Sequence, residues 1–176
     1  PLRQALVLTR NALVGTGLKQ DVRLACSGKQ ISAFAIASSM ALGADWVNTA
    51  RGFMFALGCI QSLNCHNNTC PTGIATSDRG RQRGLVVADK AVRVRNFHHN
   101  TVKALMEVVG AAGCDHPAEL TPRHVMHRVT EDIAYTAERA YQLVQHEQLL
   151  RAPQETQLAD EWRLAQAHSF APAGQS

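Results

Sequence analysis

An α/β protein is predicted by three features of the sequence. A strand–helix–strand run lies between residues 22 and 49, a long amphipathic stripe follows Asp89, and apolar residues recur at helical spacing near both ends. A strand, a helix and a strand over so short a distance form a βαβ unit, whose two strands run parallel.

The elements follow in order. Residues 2–14 have helical spacing, with Ala5, Val7, Leu8 and Ala12 to one side, and Gly15 and Gly17 as stop signals. Residues 22–26 (VRLAC) read as a strand broken by Ser27-Gly28-Lys29. Residues 31–42 read as a helix in which Ala33, Ala37 and Ala41 share a face, with Gly43 as its cap. Residues 45–49 (DWVNT) read as the second strand. A connection containing Gly, Asn and Pro then runs from 51 to 88, a length that implies a function for it. Asp89 is the expected N-cap of a helix whose apolar stripe is Val94, Phe97, Thr101, Leu105, Val108 and Ala112, ended by Gly113. Thr121 and Pro122 read as the start of a further helix, with Val125, Val129, Ile133, Ala137 and Val144 as its apolar stripe. From Arg151 the pattern is less regular, and Trp162 and Phe170 are its expected packing residues.

Composition narrows the function classes. The chain is 45% hydrophobic and 18% charged, which excludes a disordered polyelectrolyte. No apolar run approaches the roughly 20 residues that span a bilayer, and no signal peptide opens the sequence, so a cytoplasmic location is expected. The net charge is +4, with Arg79, Arg81, Arg83, Lys90, Arg93 and Arg95 close together. These residues read either as a solvated face or as a docking patch for an acidic partner. No aromatic residues are interleaved with them for base stacking, so nucleic acid is not the expected partner.

The chemistry concentrates in two places. Three of the five cysteines, Cys59, Cys65 and Cys70, fall within twelve residues. Thiolates bind soft metals and iron–sulfur clusters, and the spacing C-x5-C-x4-C is not the C-x2-C knuckle of zinc fingers. Three ligands suit a three-iron cluster, and Pro71 follows the last cysteine as in ferredoxin-type loops. The alternatives are a zinc site completed by His66, or three unrelated thiols. Cys26 reads as a small buried apolar residue, and Cys114 has no assigned role. The second place is the pair of strand ends, Ser27-Gly28-Lys29 and Thr49-Ala50-Arg51. Backbone N–H groups at such turns cradle phosphates, with Lys29 and Arg51 as added charge.

Taken together, SGK (27–29), ALGADWVNTARGFMFALGC (41–59) and CHNNTCPTGIAT (65–76) resemble the FMN-binding domain of glutamate synthases. QRGLV (82–86), NFHHNTVKAL (96–105), HPAEL (116–120) and WRLAQAHSF (162–170) resemble its single-domain branch. The resemblance implies a (β/α)8 TIM barrel to which residues 1–113 contribute the last two strands and their helices, with the iron–sulfur loop at 51–88. Residues 114–176 would be a helical C-terminal extension. The remaining strands would come from outside this chain. The resemblance also implies a [3Fe-4S] cluster on Cys59, Cys65 and Cys70, and FMN held through its phosphate by Ser27, Gly28, Lys29, Thr49, Ala50 and Arg51. The implied reaction is reduction of 2-iminoglutarate, formed from 2-oxoglutarate and ammonia, to L-glutamate, with a ferredoxin-like protein as a candidate donor. No catalytic acid or base is nominated. Two other readings stand beside this one: a zinc-stabilised interaction module, and a phosphate-binding barrel of the IMP dehydrogenase type with a nucleophilic loop cysteine.

Overall fold

The computed structural model describes residues 2–174. It is a mixed α/β chain with two small sheets, each of two strands. Helix α1 (Leu2–Gly15) leads to strand β1 (Ala25–Ser27), helix α2 (Ala33–Ala41) and strand β2 (Trp46–Asn48). Helices α3 (Arg51–Leu57), α4 (Arg79–Gln82) and α5 (Val87–Ala111) follow. Strands β3 (Met126–Arg128) and β4 (Ala134–Thr136) form a hairpin, and α6 (Ala137–Ala140), α7 (Gln148–Arg151) and α8 (Ala159–Leu164) complete the order. No helix of the described residues is long and apolar enough to cross a membrane.

Strands β1 and β2 pair with each other. The residues that precede them are also bonded, Asp45 N–H donating to the Leu24 carbonyl at 2.8 Å. The two strands therefore start side by side and run the same way, as the βαβ reading requires. The first strand is displaced from its expected position: it begins at Ala25, not Val22, and includes Ser27. The reason is that Val22 still belongs to the preceding turn, its N–H donating to the Leu18 carbonyl at 3.0 Å. The small-residue face of α2 is buried at Ala37 and Ala41, beside Ser38 and Ser39. Gly43, at φ 113°, closes α2 with bonds from its own N–H to Met40 and from Ala44 N–H to Ser39, the two bonds of a Schellman motif.

Two compact units divide the chain. One holds residues up to Cys26, 38–46 and those from Ala118 onward; the other holds 27–37 and 47–117. In the first, Val144, Leu149 and Leu158 form a buried cluster with Trp162 packed against it. Gly15 is essential to that packing, because a methyl group there would lie 2.6 Å from Leu149 Cγ. Asn11 is fully buried, and its Oδ1 accepts the Val144 N–H at 3.2 Å. In the second unit α3 packs on α5. Gly52 makes room for the Phe97 ring, which meets Phe53 edge-on with centroids 5.1 Å apart.

Three expectations are corrected. The 51–88 connection is not continuous loop, because Arg51–Leu57 is helical and buries Gly52 against α5. Helix α5 starts at Val87 with Val86 as N-cap, which puts Asp89 inside the first turn rather than at the cap. There its charge still favours the helix N-terminus. The helix expected from Thr121 is a single 3₁₀ turn, Pro122–His124, followed by the β3–β4 hairpin. Apolar spacing of four misled there, since Val129 and Ile133 are not a buried stripe but flank a turn. Val129 N–H donates to the Ile133 carbonyl at 2.8 Å, and Thr130 Oγ1 accepts the Ile133 N–H at 3.1 Å. Residues 114–174 are therefore a hairpin with short helices, not a helical extension.

Candidate cofactor and cluster site

The two expected phosphate loops leave the same edge of the β1–β2 pair. Ser27 ends β1, and Gly28 and Lys29 both turn with positive φ, 133° and 55°. A lysine in the left-handed region carries strain of about 1–2 kcal/mol. Gln30 is buried and donates from Nε2 to the Gly28 carbonyl at 3.3 Å, which fixes the turn. After β2, Thr49 is half-buried, and Ala50 and Arg51 are exposed at the start of α3. Ser27, Gly28 and Lys29 are likewise exposed.

The cysteine loop begins where α3 ends. Gly58, at φ 102°, closes α3 with a second Schellman motif, Cys59 N–H bonding the Met54 carbonyl at 2.9 Å. This places Cys59 at a fixed distance from the packed α3–α5 pair. Cys59 Sγ accepts the Gln61 N–H at 3.5 Å. Cys65 is exposed, and Cys70 is only 5% exposed. The Thr72 hydroxyl, 3.4 Å from Cys70 Sγ, does most to hold that thiol down at about 7. The Ala75 N–H adds to it, burial opposes, and the Thr72 and Ile74 N–H groups contribute less. Thr72, Ile74, Ala75 and Thr76 are only half-buried, and burial is a weaker effect on the thiol than the Thr72 and Ala75 hydrogen bonds. A ring of donors around one sulfur is what a thiolate ligand needs.

A polar knot holds the second half of the loop, and its centre, Asn68, was not anticipated from the sequence. Asn68 Oδ1 accepts from the Ser77 N–H at 2.6 Å, the Thr76 hydroxyl at 2.9 Å and the Ser77 hydroxyl at 3.0 Å. Its φ is 63°, within the left-handed region that asparagine tolerates. Asp78 caps α4 by accepting the Arg81 N–H at 3.0 Å, and Arg81 donates to the Thr69 carbonyl at 3.1 Å. Gly73, at φ 76°, lies so close to the Arg81 carbonyl that no side chain fits. The signal was the Asn-Asn pair followed by Thr-Ser-Asp, residue types that bond to nearby backbone.

The five cysteines are free thiols. Among the described residues no three of His, Cys, Asp and Glu stand together in a group that could hold a metal. Cys59, Cys65 and Cys70 thus share one loop without being gathered, and His66 is exposed beside Cys65. Cys26 is buried in β1 and Cys114 is buried after the C-terminus of α5.

Fold and loop together describe an α/β protein with a free-thiol loop next to paired strand ends. Residues 1–115 match the family model for the conserved region in glutamate synthase, and the chain belongs to that family. It is 41% identical over 128 residues to the glutamate synthase large subunit-like protein YerD of Bacillus subtilis, covering 73% of this chain and 24% of that protein. It is 29% identical over 116 residues to the NADH glutamate synthase of Saccharomyces cerevisiae, covering 64% of this chain and 5% of that protein. It is 34% identical over 76 residues to the ferredoxin-dependent glutamate synthase 2, chloroplastic, of Arabidopsis thaliana, covering 43% and 5%. The chain therefore spans a quarter or less of the length of these relatives.

Proposed function

We propose that this chain supplies the phosphate-binding strand ends and the cluster loop of a glutamate synthase-type oxidoreductase. The observation that carries the reading is the cysteine loop in a member of this family, with Cys70 set among donors to its sulfur and Cys59 anchored at the end of α3. Free thiols on one loop, two of them hydrogen-bonded, have the chemistry of thiolate ligands. Cys59, Cys65 and Cys70 would together hold a [3Fe-4S] cluster. Ser27, Gly28, Lys29, Thr49, Ala50 and Arg51 would hold the FMN phosphate, Lys29 and Arg51 by charge-assisted hydrogen bonds. FMN and the cluster, when bound, supply the electrons that reduce 2-iminoglutarate to L-glutamate. The two strands take their place as the last two of a (β/α)8 barrel, whose other strands carry the remaining flavin and 2-oxoglutarate contacts. An acidic, ferredoxin-like donor would dock on the basic stretch from Arg79 to Arg95. Family membership favours this reading over the zinc module and the IMP dehydrogenase type.

The test is cysteine replacement in the full-length protein, with iron, sulfide and EPR as readouts. Cys59→Ser, Cys65→Ser and Cys70→Ser are each expected to lose the oxidised-cluster signal, because three thiolates leave no spare ligand. Cys26→Ser and Cys114→Ser are expected to keep it. Full iron and sulfide in any of the three loop variants would overturn the ligand set, and stoichiometric zinc in the unmodified protein would favour the zinc module.

A further inference from the structure

A pocket of about 540 Å³ lies at the start of the two strands, where Leu24 and Asp45 precede them. Its charged lining is Arg10, Lys19, Arg23 and Asp45. Asp45 is saturated: Lys19 Nζ donates to both carboxylate oxygens at 3.0 and 2.8 Å, the Leu24 N–H at 2.6 Å and Arg23 at 3.4 Å. Three cations against one carboxylate leave the lining a formal charge of +2.

Arg10 is the residue this arrangement leaves without an anion. Its stem lies along Gly43, where a methyl would sit 2.8 Å from Arg10 Cδ, and its NH1 donates to Asn11 Oδ1 at 3.1 Å. Among the described residues no carboxylate is within ion-pair distance of it. Partial burial pushes its guanidinium below the ordinary value, and the Glu138 charge opposes this from a distance. Glu138 itself is held by Arg123 at 2.7 Å. Beside the cations stands an apolar wall of Trp46, Leu120 and Pro122, with Trp46 48% exposed. A volume within the range of small-molecule sites, with an apolar wall and a few convergent charges, is the general form of a ligand pocket.

We propose that this pocket binds an organic phosphate monoester, its phosphate at Arg10, Lys19 and Arg23 and its organic body on Trp46 and Leu120. The charge fits: a phosphate monoester carries about −1.5 to −2 at neutral pH, and the lining offers +2. Arg10 has guanidinium donors beyond the one given to Asn11, and a guanidinium pairs with phosphate through two parallel bonds. None of its lining residues belongs to the loops at Ser27–Lys29 and Thr49–Arg51.

The probe is phenyl phosphate, titrated calorimetrically into the full-length protein, with phenol and inorganic phosphate as partial ligands. Saturable binding of phenyl phosphate is expected, at least ~10-fold tighter than either partial ligand, as one good charge-assisted contact or one aromatic contact implies. Arg10→Gln is expected to weaken it ~10-fold or more. Trp46→Leu is expected to weaken phenyl phosphate but not inorganic phosphate, with the unfolding midpoint measured alongside to exclude loss of the fold. Saturating FMN, which would fill the loops at Ser27–Lys29 and Thr49–Arg51, is expected to leave phenyl phosphate binding at this pocket unchanged. Absence of saturable binding would overturn the proposal. So would equal affinity for phenyl and inorganic phosphate, or binding that is lost with saturating FMN and kept with Arg10→Gln.

Discussion

The two ends of the β1–β2 pair are built on opposite principles. Where the strands begin, Asp45 gathers two cations and a backbone N–H, so that every lone pair has a donor. Where they end, Ser27, Gly28, Lys29, Ala50 and Arg51 are exposed, and Lys29 holds a left-handed backbone that most residues avoid. At the start the Asp45 carboxylate is satisfied internally and so contributes to stability, with Arg10 left as surplus charge; at the other end Lys29 and Arg51 stay exposed, and Lys29 does so at a cost in strain. The difference teaches that charge on this strand pair has two separable uses, and substitutions on each side sharpen it.

The largest effect belongs to the satisfied end. Asp45→Ala removes the acceptor of four hydrogen bonds and leaves Lys19, whose side chain is 22% exposed, without its partner. A loss of about 2–3 kcal/mol is expected in urea unfolding, most of it from Lys19 and the Leu24 N–H, since Arg23 is too exposed to add much. Burial alone would raise the Asp45 carboxyl, but the Lys19 hydrogen bond, the Leu24 N–H, the Lys19 charge and Arg23 together outweigh it, and the group lies below its ordinary value. A depressed carboxylate contributes stability that is complete above the unfolded value, about 3.9, and is lost as pH falls through the folded one. Unfolding followed from pH 6 down to pH 2 is expected to show a decline below about pH 4 that shrinks in Asp45→Asn. An identical acid decline in both proteins would remove Asp45 from the account.

Next in size is Arg51→Ala at the open end. FMN affinity of the full-length protein is expected to fall ~10-fold or more, the worth of one charge-assisted phosphate contact. Riboflavin, which lacks the phosphate, is expected to bind both proteins alike, and the unfolding midpoint to stay within about 0.5 kcal/mol. Equal losses for the two flavins would assign Arg51 to the ring or to folding rather than to the phosphate.

How much of this contrast was legible in the sequence depends on which interactions are local. Helices α1, α2 and α5 and the βαβ order were legible, since periodicity and glycine stops report them directly. The nominated loops at 27–29 and 49–51 were legible for the same reason, as they follow strands. Helix α3 was not, because its aromatic face is explained only by Phe97, some forty residues on. The hairpin was mistaken for a helix because Val125, Val129 and Ile133 repeat every four residues, while the turn bonds from Thr130 decide the outcome. The cysteines could be nominated by spacing, but the donors around Cys70 and the Asn68 knot come from chain reversals that spacing does not encode. The partner of Asp45 was hidden for the same reason, Lys19 lying twenty-six residues away.

The smallest expected effect is the most discriminating, because its two readouts move in opposite directions. Lys29 adopts φ 55° and is exposed, so its side chain is not held by packing and its backbone is strained. Glycine accepts that conformation without penalty, though it gives the unfolded chain more freedom. These two effects differ in sign and leave a net stabilisation of about 0.5–1 kcal/mol for Lys29→Gly. The same substitution removes a cation from the loop proposed to hold the FMN phosphate, so FMN affinity is expected to fall several-fold while the melting temperature rises by a few degrees. Stability and affinity that fall together would mean that the Lys29 side chain supports the turn. Both unchanged would mean that the loop holds FMN through backbone N–H groups alone. Only the opposed pair, a more stable fold with a weaker cofactor, identifies strain at this strand end as the cost of keeping a cation free for a phosphate.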